Sequence, residues 1–352
     1  VLVAFIPAYN EAASIAATIE AALAQTRPAD RLVVVPNGCT DDTAAVARRY
    51  PVTVMELPKL RHRKSEALNT AWLAYGQDAD VVVCLDADTE LPPNAFADWE
   101  HELAADATLG GSSSKFTMQA PDFLSRLQKA EFATWTDTSL RRGETSVLAG
   151  TGCGISGPAL RAVAARDDRV GPWSYDSATE DFELTYRIRE AGYRCHVSPT
   201  VRAYTDSMKD LRSLWQQRMK WQVGTVEDLL RIGVNRLTLR DWGQQAMGMV
   251  NAGLKALWVS VILGAVALGM FNLVWYWLLL PVLFIALDVK RALRIPHRDR
   301  VDLLIAASFF PNELFMWLRA GWFVRSWVDV LVSKITNRRA DRWANQYAAE
   351  GV

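Results

Sequence analysis

The chain has 352 residues, 50 % of them hydrophobic and 22 % charged, and its 39 basic side chains are balanced by 39 acidic ones. A formal charge of zero excludes nucleic-acid binding by bulk charge, because that term needs a surplus of cations. The cysteines, at 39, 84, 153 and 195, form no Cys-x-x-Cys pair, which argues against a zinc cluster or a disulfide framework and for a reducing compartment.

Short apolar, β-branched runs recur at 1–6, 32–35, 52–57 and 81–85, separated by helix-like segments at 12–25, 41–50 and 64–75. Strands that are polar only at their ends, alternating with helices, predict a parallel sheet covered on both faces. Any ligand is then expected beyond the carboxyl ends of the strands. The first run opens without a basic-then-apolar leader, so no signal peptide is expected. At the strand ends stand Pro7-Ala8-Tyr9-Asn10-Glu11, Pro36-Asn37-Gly38-Cys39-Thr40-Asp41-Asp42 and Asp86-Ala87-Asp88. Two carboxylates one residue apart beyond a buried strand repel each other unless a cation or a diphosphate–metal complex lies between them. An isolated Asp-x-Asp also serves as a loop cap or turn; its place after an apolar strand favours binding.

These strand-end residues resemble the nucleotide-binding half of a family 2 glycosyltransferase with the GT-A fold. The resemblance implies that Pro7, Tyr9 and Glu11, with the loop that carries Asn37, hold the nucleobase and ribose of a nucleotide sugar. It implies that Lys64 and Asp86 reach the nucleotide, and that Asp86 and Asp88 carry a divalent metal, Mg²⁺ or Mn²⁺. Pro36-Asn37 stands where the family has two aspartates, and Arg63 where it commonly has glycine.

The second half supplies three further signatures. Gly150-Thr151-Gly152-Cys153-Gly154-Ile155-Ser156-Gly157 lacks phosphate-loop spacing and on its own reads as a turn before a helix at 159–165. Thr179-Glu180-Asp181 on its own reads as a Thr cap with acids favoured by the helix dipole. Trp215-Gln216-Gln217-Arg218-Met219-Lys220-Trp221 on its own reads as an amphipathic helix. The family resemblance makes Gly152, Cys153 and Gly154 the floor beneath an acceptor sugar. It makes Thr179, Glu180 and Asp181 the catalytic motif, with Asp181 as the general base of an inverting transfer. The third stretch is similar to the Gln-x-x-Arg-Trp motif of membrane-bound synthases of hyaluronan, chitin, cellulose or poly-N-acetylglucosamine. That implies Gln217, Arg218 and Lys220 on the diphosphate, and Trp221 against the acceptor. A polyprenyl-phosphate sugar transferase and a non-catalytic sugar-nucleotide scaffold are the rival readings.

Eight of the fourteen tryptophans lie after residue 240, and residues 256–287 carry no charge. A single helix of that length would run about 48 Å against about 30 Å of hydrocarbon. Two short membrane helices, 252–269 and 273–289, are therefore expected, broken at Gly269-Met270-Phe271-Asn272; a single tilted span or a buried hairpin is the alternative. Lys290, Arg291, Arg294, Arg298 and Arg300 follow, which places them on the cytoplasmic side with the catalytic domain. On a helical wheel over 314–333, Arg319, Arg325, Ser326, Asp329 and Ser333 cluster opposite Met316, Trp317, Phe323, Trp327 and Leu331. That predicts a helix lying in the membrane surface, with a core-facing helix as the alternative.

The expected architecture is α/β: a GT-A, Rossmann-like, mostly parallel sheet with helices on both faces, followed by a C-terminal membrane hairpin and interfacial amphipathic helices. Its parts are a catalytic domain at 1–228 (nucleotide-sugar half 1–115, acceptor half 116–228), connecting interfacial helices at 229–251, the membrane pair at 252–289 and a cytoplasmic basic segment at 290–352. The expected protein is a multi-pass cell-membrane enzyme with its catalytic domain on the cytoplasmic side. Its expected partners are a UDP-sugar, a glycan or lipid-linked acceptor and membrane lipid, with no nucleic acid. Two helices cannot enclose a polar polymer, so the expected product is one sugar or a short oligosaccharide, unless a homo-oligomer builds a pore.

Overall fold

The computed structural model describes residues 1–118, 120–166, 169–272 and 279–351. The chain divides into two units, one of Val1–Pro121 with Trp135–Ser207 and the other of Asp122–Thr134 with Met208–Gly351.

The first unit is built on β1 (Leu2–Ala8), β2 (Arg31–Pro36), β3 (Thr53–Val54), β4 (Val81–Cys84), β5 (Leu109–Thr117), β6 (Cys153–Ser156) and β7 (Arg194–Tyr204). The sheet order is β3-β2-β1-β4-β6-β5-β7. β1 pairs in parallel with β2 and β4, with Phe5 opposite Val33 and Cys84, so the carboxyl ends of all three strands reach one edge. β6 runs antiparallel to β4 and β5, and β7 runs parallel to β5, so the sheet is mixed. β1 is buried along its whole length because successive side chains enter opposite cores. Leu2, Ala4 and Ile6 meet Ile15 and Ile19 of α1 (Ile15–Leu23). Val3 and Phe5 lie in the opposite core with Leu68 and Trp72.

The other helices of this unit are α2 (Thr43–Ala47), α3 (Arg63–Tyr75), α4 (Ala95–Ala105), α6 (Gly157–Ala164) and α7 (Glu180–Glu190); α5 (Phe123–Arg142) begins in the second unit and ends in the first. The run at 52–57 supplies only two strand residues, since β3 pairs with β2 alone through Thr53 and Val54. No strand is expected from the Gly- and Ser-rich β5, yet it is paired on both sides, with β6 and β7. Its glycines are small because a Cβ at Gly110 would stand 2.5 Å from Ile188 Cγ2, and one at Gly111 2.4 Å from Leu148 Cδ1.

The second unit is helical: α8 (Leu211–Ile232), α9 (Leu239–Ala267), α10 (Leu279–Ala292), α11 (Arg300–Ala307), α12 (Phe309–Thr336) and α13 (Arg342–Glu350), with the start of α5. α8 starts sharply because Asp210 accepts hydrogen bonds from the Arg212 and Ser213 N–H groups. Its Leu214, Met219, Val223 and Val226 pack with Leu127 of α5 and with Phe315, Trp322 and Val330 of α12. α8, expected to close the catalytic domain at 228, lies in the second unit, with its apolar face in this helical core.

Residues 239–251, expected as part of a separate interfacial segment, are the first turns of α9. Among the described residues α9 is the one single helix long and apolar enough to cross a membrane, and none of its apolar window is buried. Gly269, with φ +65, follows its end. The second expected span begins at 273–278, outside the described residues; α10 covers the remainder and continues to Ala292. α11 and α12 meet at a bend of 76°. Of the expected polar stripe of α12, Arg325 is exposed, but Ser326 is buried in line with Trp322 and Val330 on the face that packs on α8. Its other side is also apolar, with Leu314, Val324, Val328, Leu331, Val332 and Ile335 exposed.

Candidate active site

The first unit gathers four of the expected residues at the carboxyl end of β4. Lys64, in the first turn of α3, donates to Asp86 Oδ1 at 2.6 Å and lies 3.1 Å from Glu180 Oε1. Burial works against the Lys64 charge, but Asp86, Glu180 and Asp181 outweigh it and hold the amine well above its ordinary value. Arg63, immediately before it, takes φ +47, a left-handed conformation that glycine adopts without strain. This explains why a glycine suits that place in the family pattern.

Asp86 is fixed by its own N–H, which donates to the Gly150 carbonyl at 2.9 Å. A Cβ at Gly150 would stand 2.7 Å from Lys64 Nζ and 2.9 Å from Asp86 Oδ2. Gly150 is therefore the glycine that clears the cluster, and the residue-by-residue expectation missed it. Gly152, Cys153 and Gly154 are placed otherwise. Gly152 abuts Leu91, Cys153 is buried within β6 opposite Cys84, and the space above Gly154 is filled by Trp99, 2.7 Å from an added Cβ. Burial pushes the Cys153 thiol well above its ordinary value, which makes it inert. Gly152 and Gly154 lie against Trp99 of α4, while Cys153 faces the opposite core with Phe5 and Leu68. The two roles separate by mutation. Gly150→Ala is expected to lower kcat/KM by about 10- to 100-fold, since it displaces flexible charged groups by about an ångström. Gly154→Ala is expected to destabilise the fold by about 1–3 kcal/mol through overpacking against Trp99. Thermal unfolding and initial rates on both variants check the contrast.

Asp181 opens α7. The Phe182 N–H donates to its Oδ1 at 2.8 Å, and Thr185 Oγ1 donates to its carbonyl at 2.6 Å. Burial pushes the Asp181 carboxyl up to about 6, with Glu180 adding to the shift and Lys64 opposing it. Thr179 occupies the N-cap position, buried, without a side-chain cap hydrogen bond. The segment before it is tied to α3: Asn69 and Trp173 exchange two hydrogen bonds, at 2.7 and 3.0 Å, and the His62 ring stacks on Tyr175 with centroids 4.5 Å apart. These ties bring Glu180 to Lys64 across a long stretch of sequence. The buried face of α3 is the one signal in the sequence that could have pointed to Asn69.

Asp88 accepts from Thr205 and Thr89 hydroxyls, each at 3.2 Å. Burial first, then Asp86, Glu11 and Asp206, push its carboxyl up to about 7. Thr205 and Asp206 follow β7, which reaches this point through paired backbone hydrogen bonds between Glu90 and Tyr204 at 2.8 and 2.9 Å. Hard carboxylate oxygens with surplus negative charge fit a divalent cation whose shell is completed by phosphate oxygens. Among the described residues, no three His, Cys, Asp or Glu side chains would hold a metal by themselves.

Of the expected nucleobase residues, Pro7 is a buried strand residue opposite Val35, and Tyr9 and Glu11 follow β1. The Glu11 N–H donates to Thr43 Oγ1 at 2.8 Å, and Asn10, at φ +54, accepts from the Thr40 N–H at 2.7 Å. Asn37 is buried, and its carbonyl accepts from the Leu60 N–H at 3.1 Å. That oxygen holds the loop after β3, which leaves the amide donor as the Asn37 group suited to a base.

Gln217, Arg218, Lys220 and Trp221 lie on α8 in the second unit. The Arg218 guanidinium is stacked 4.3 Å from the Trp221 ring centre and donates to Gln217 Oε1 at 2.6 Å. Lys220 Nζ lies 3.2 Å from the ring centre of Trp343 on α13. Arg218 and Lys220 are buried in this unit, and Trp221 is half-buried beside Arg218.

Comparison with known proteins agrees with this geometry. The family model "Glycosyl transferase family group 2" matches residues 81–289, and "Glycosyl transferase family 2" matches residues 3–157. The chain is similar to the poly-beta-1,6-N-acetyl-D-glucosamine synthases of Staphylococcus aureus, 26 % identical over 72 % of this chain, and of Staphylococcus epidermidis, 25 % identical over 63 %. It spans 61 % and 54 % of their lengths. Its fold is similar to that of a mannosyltransferase from Pyrobaculum calidifontis solved with GDP-Man and Mn²⁺, with a TM-score of 0.64, 20 % identity and coverage of 94 % of this chain and 86 % of that one. The mixed sheet, the strand-end carboxylates and a family match over more than half of the sequence lead to one assignment: the chain belongs to the family 2 glycosyltransferases.

Proposed function

We propose that the chain transfers N-acetylglucosamine from its UDP derivative to a glycan hydroxyl at the cytoplasmic face of a membrane, with inversion at the anomeric carbon. The observation that carries this reading is the convergence of Asp86, Glu180 and Asp181 around Lys64, with Gly150 flush against the pair. In the reaction Asp181 takes the proton of the acceptor hydroxyl as its oxygen bonds to the anomeric carbon. The bond from that carbon to the diphosphate oxygen breaks, and the electron pair leaves with the diphosphate. Lys64 bridges Asp86 and Glu180 and offers positive charge toward the nucleotide. Asp86 and Asp88 would hold Mg²⁺ or Mn²⁺, which when bound supplies charge neutralisation for the diphosphate. The sugar is suggested by the staphylococcal relatives, whose names specify a poly-N-acetylglucosamine product.

Incubating the purified chain with Mn²⁺ and a panel of UDP-, GDP- and dTDP-sugars, followed by mass spectrometry of products, tests the donor. UDP-N-acetylglucosamine should be consumed fastest. Turnover of a GDP-sugar alone would overturn the UDP reading, and inertness to all would overturn the activity.

Membrane association rests on the exposed apolar faces of α9 and α12 and on the basic residues between 290 and 300. The chain is expected to remain with membranes after an alkaline carbonate wash and to require detergent for release. Quantitative recovery in the wash would exclude a spanning helix.

A further inference from the structure

Within the second unit Arg218 is the centre of a buried polar arrangement. Arg218 is 3 % exposed, with the Phe132 ring centre at 5.2 Å and the Trp221 ring centre at 4.3 Å. Its Nη2 donates to Glu131 Oε2 at 3.0 Å, and the other oxygen of Glu131 lies 3.0 Å from Nε of Arg319. Glu131, on α5, is 6 % exposed. Glu131 belongs to no motif read in the sequence, and Arg319 only to the polar stripe of α12; with Arg218 they join α5, α8 and α12.

A carboxylate shared between two guanidiniums fixes both in direction, because charge-assisted bonds to a planar fork tolerate little rotation. The guanidinium in turn presses on the indole of Trp221, whose orientation follows. Without the carboxylate, Arg218 keeps its charge in a buried place and must turn to other acceptors.

We infer that Glu131 and Arg319 are positioning residues for the transfer reaction: Glu131 aims Arg218, and through it Trp221, while Arg319 keeps Glu131 in register. The inference rests on the reading in which Arg218 and Trp221 serve the diphosphate and the acceptor.

The test uses the full chain in detergent with UDP-N-acetylglucosamine, Mn²⁺ and a β-1,6-linked N-acetylglucosamine tetramer, and separates kcat from the donor and acceptor KM. Glu131→Gln should lower kcat about 10- to 100-fold with donor KM within about threefold, and Arg319→Met about 3- to 10-fold. Arg319→Lys, which keeps the charge, should recover activity to within about threefold of the unaltered chain. Because Arg319 is part-exposed, its variants test the inference even where Glu131→Gln fails to fold. Coupling predicts that the double variant is no slower than Glu131→Gln alone. Full turnover of Glu131→Gln and Arg319→Met beside an inactive Arg218→Ala would overturn the inference and spare the motif reading. Full transfer by Arg218→Ala would overturn both.

Discussion

Replacing Asp181 by Asn is expected to lower transfer by about 10²–10⁴-fold, the usual worth of a general base, while donor affinity stays within about threefold. The amide fits the same space and can still accept the Phe182 N–H, so geometry is kept and only proton affinity is lost. The pH profile gives an independent check. Burial, helped by Glu180, raises this carboxyl to about 6. A raised carboxyl is protonated, and useless as a base, below that value and ionised above it. Turnover should therefore fall as pH drops through about 6, and the Asn variant should lack that limb. The same shift has a stability consequence of opposite sense. The contribution of Asp181 favours the unliganded fold below its unfolded value near 4 and is lost as pH rises through about 6. An Asn variant with near-normal turnover, or an unchanged acid limb, would remove Asp181 from the role of base.

Removing divalent metal should abolish transfer, and Asp88→Ala should reproduce most of that loss even in excess Mn²⁺. Asp86 is already engaged by Lys64, whereas Asp88 accepts from the Thr89 and Thr205 hydroxyls and faces Asp86, Glu11 and Asp206. A hard cation relieves that repulsion, and the diphosphate supplies the remaining oxygen ligands. The loss should exceed about 10²-fold in kcat/KM, comparable to removal of a principal electrostatic stabiliser of charge that develops in the transition state. Asp181→Asn, by contrast, should leave metal-dependent UDP binding intact. Titration of UDP into each variant with and without Mn²⁺ separates the two cases. Activity that survives exhaustive chelation would exclude the metal role of Asp86 and Asp88.

Local pattern was enough to determine β1, β2, β4, α1 and α3, because a buried parallel strand and its covering helix write their period into a dozen residues. Position after an apolar strand singled out Asp86 and Asp88, whereas Lys64 and Asp181 became candidates only through the family resemblance, because a Thr-Glu-Asp start is also an ordinary helix cap. β5 was hidden: Leu109–Thr117 is Gly- and Ser-rich because Ile188, Tyr193 and Leu148 lie against its backbone, and nothing nearby in sequence announces them. For the same reason glycine spacing could not tell Gly150, which clears Lys64 and Asp86, from Gly154, which makes room for Trp99. Amphipathic pattern showed that α8 and α12 each have an apolar face but not what covers it, because hydrophobic burial is non-directional. Only the fold decided that those two faces meet each other, that Ser326 turns inward, and that Glu131 stands between Arg218 and Arg319. An ion pair joining residues 131, 218 and 319 depends on three helices converging, and no property of any one of those segments encodes it.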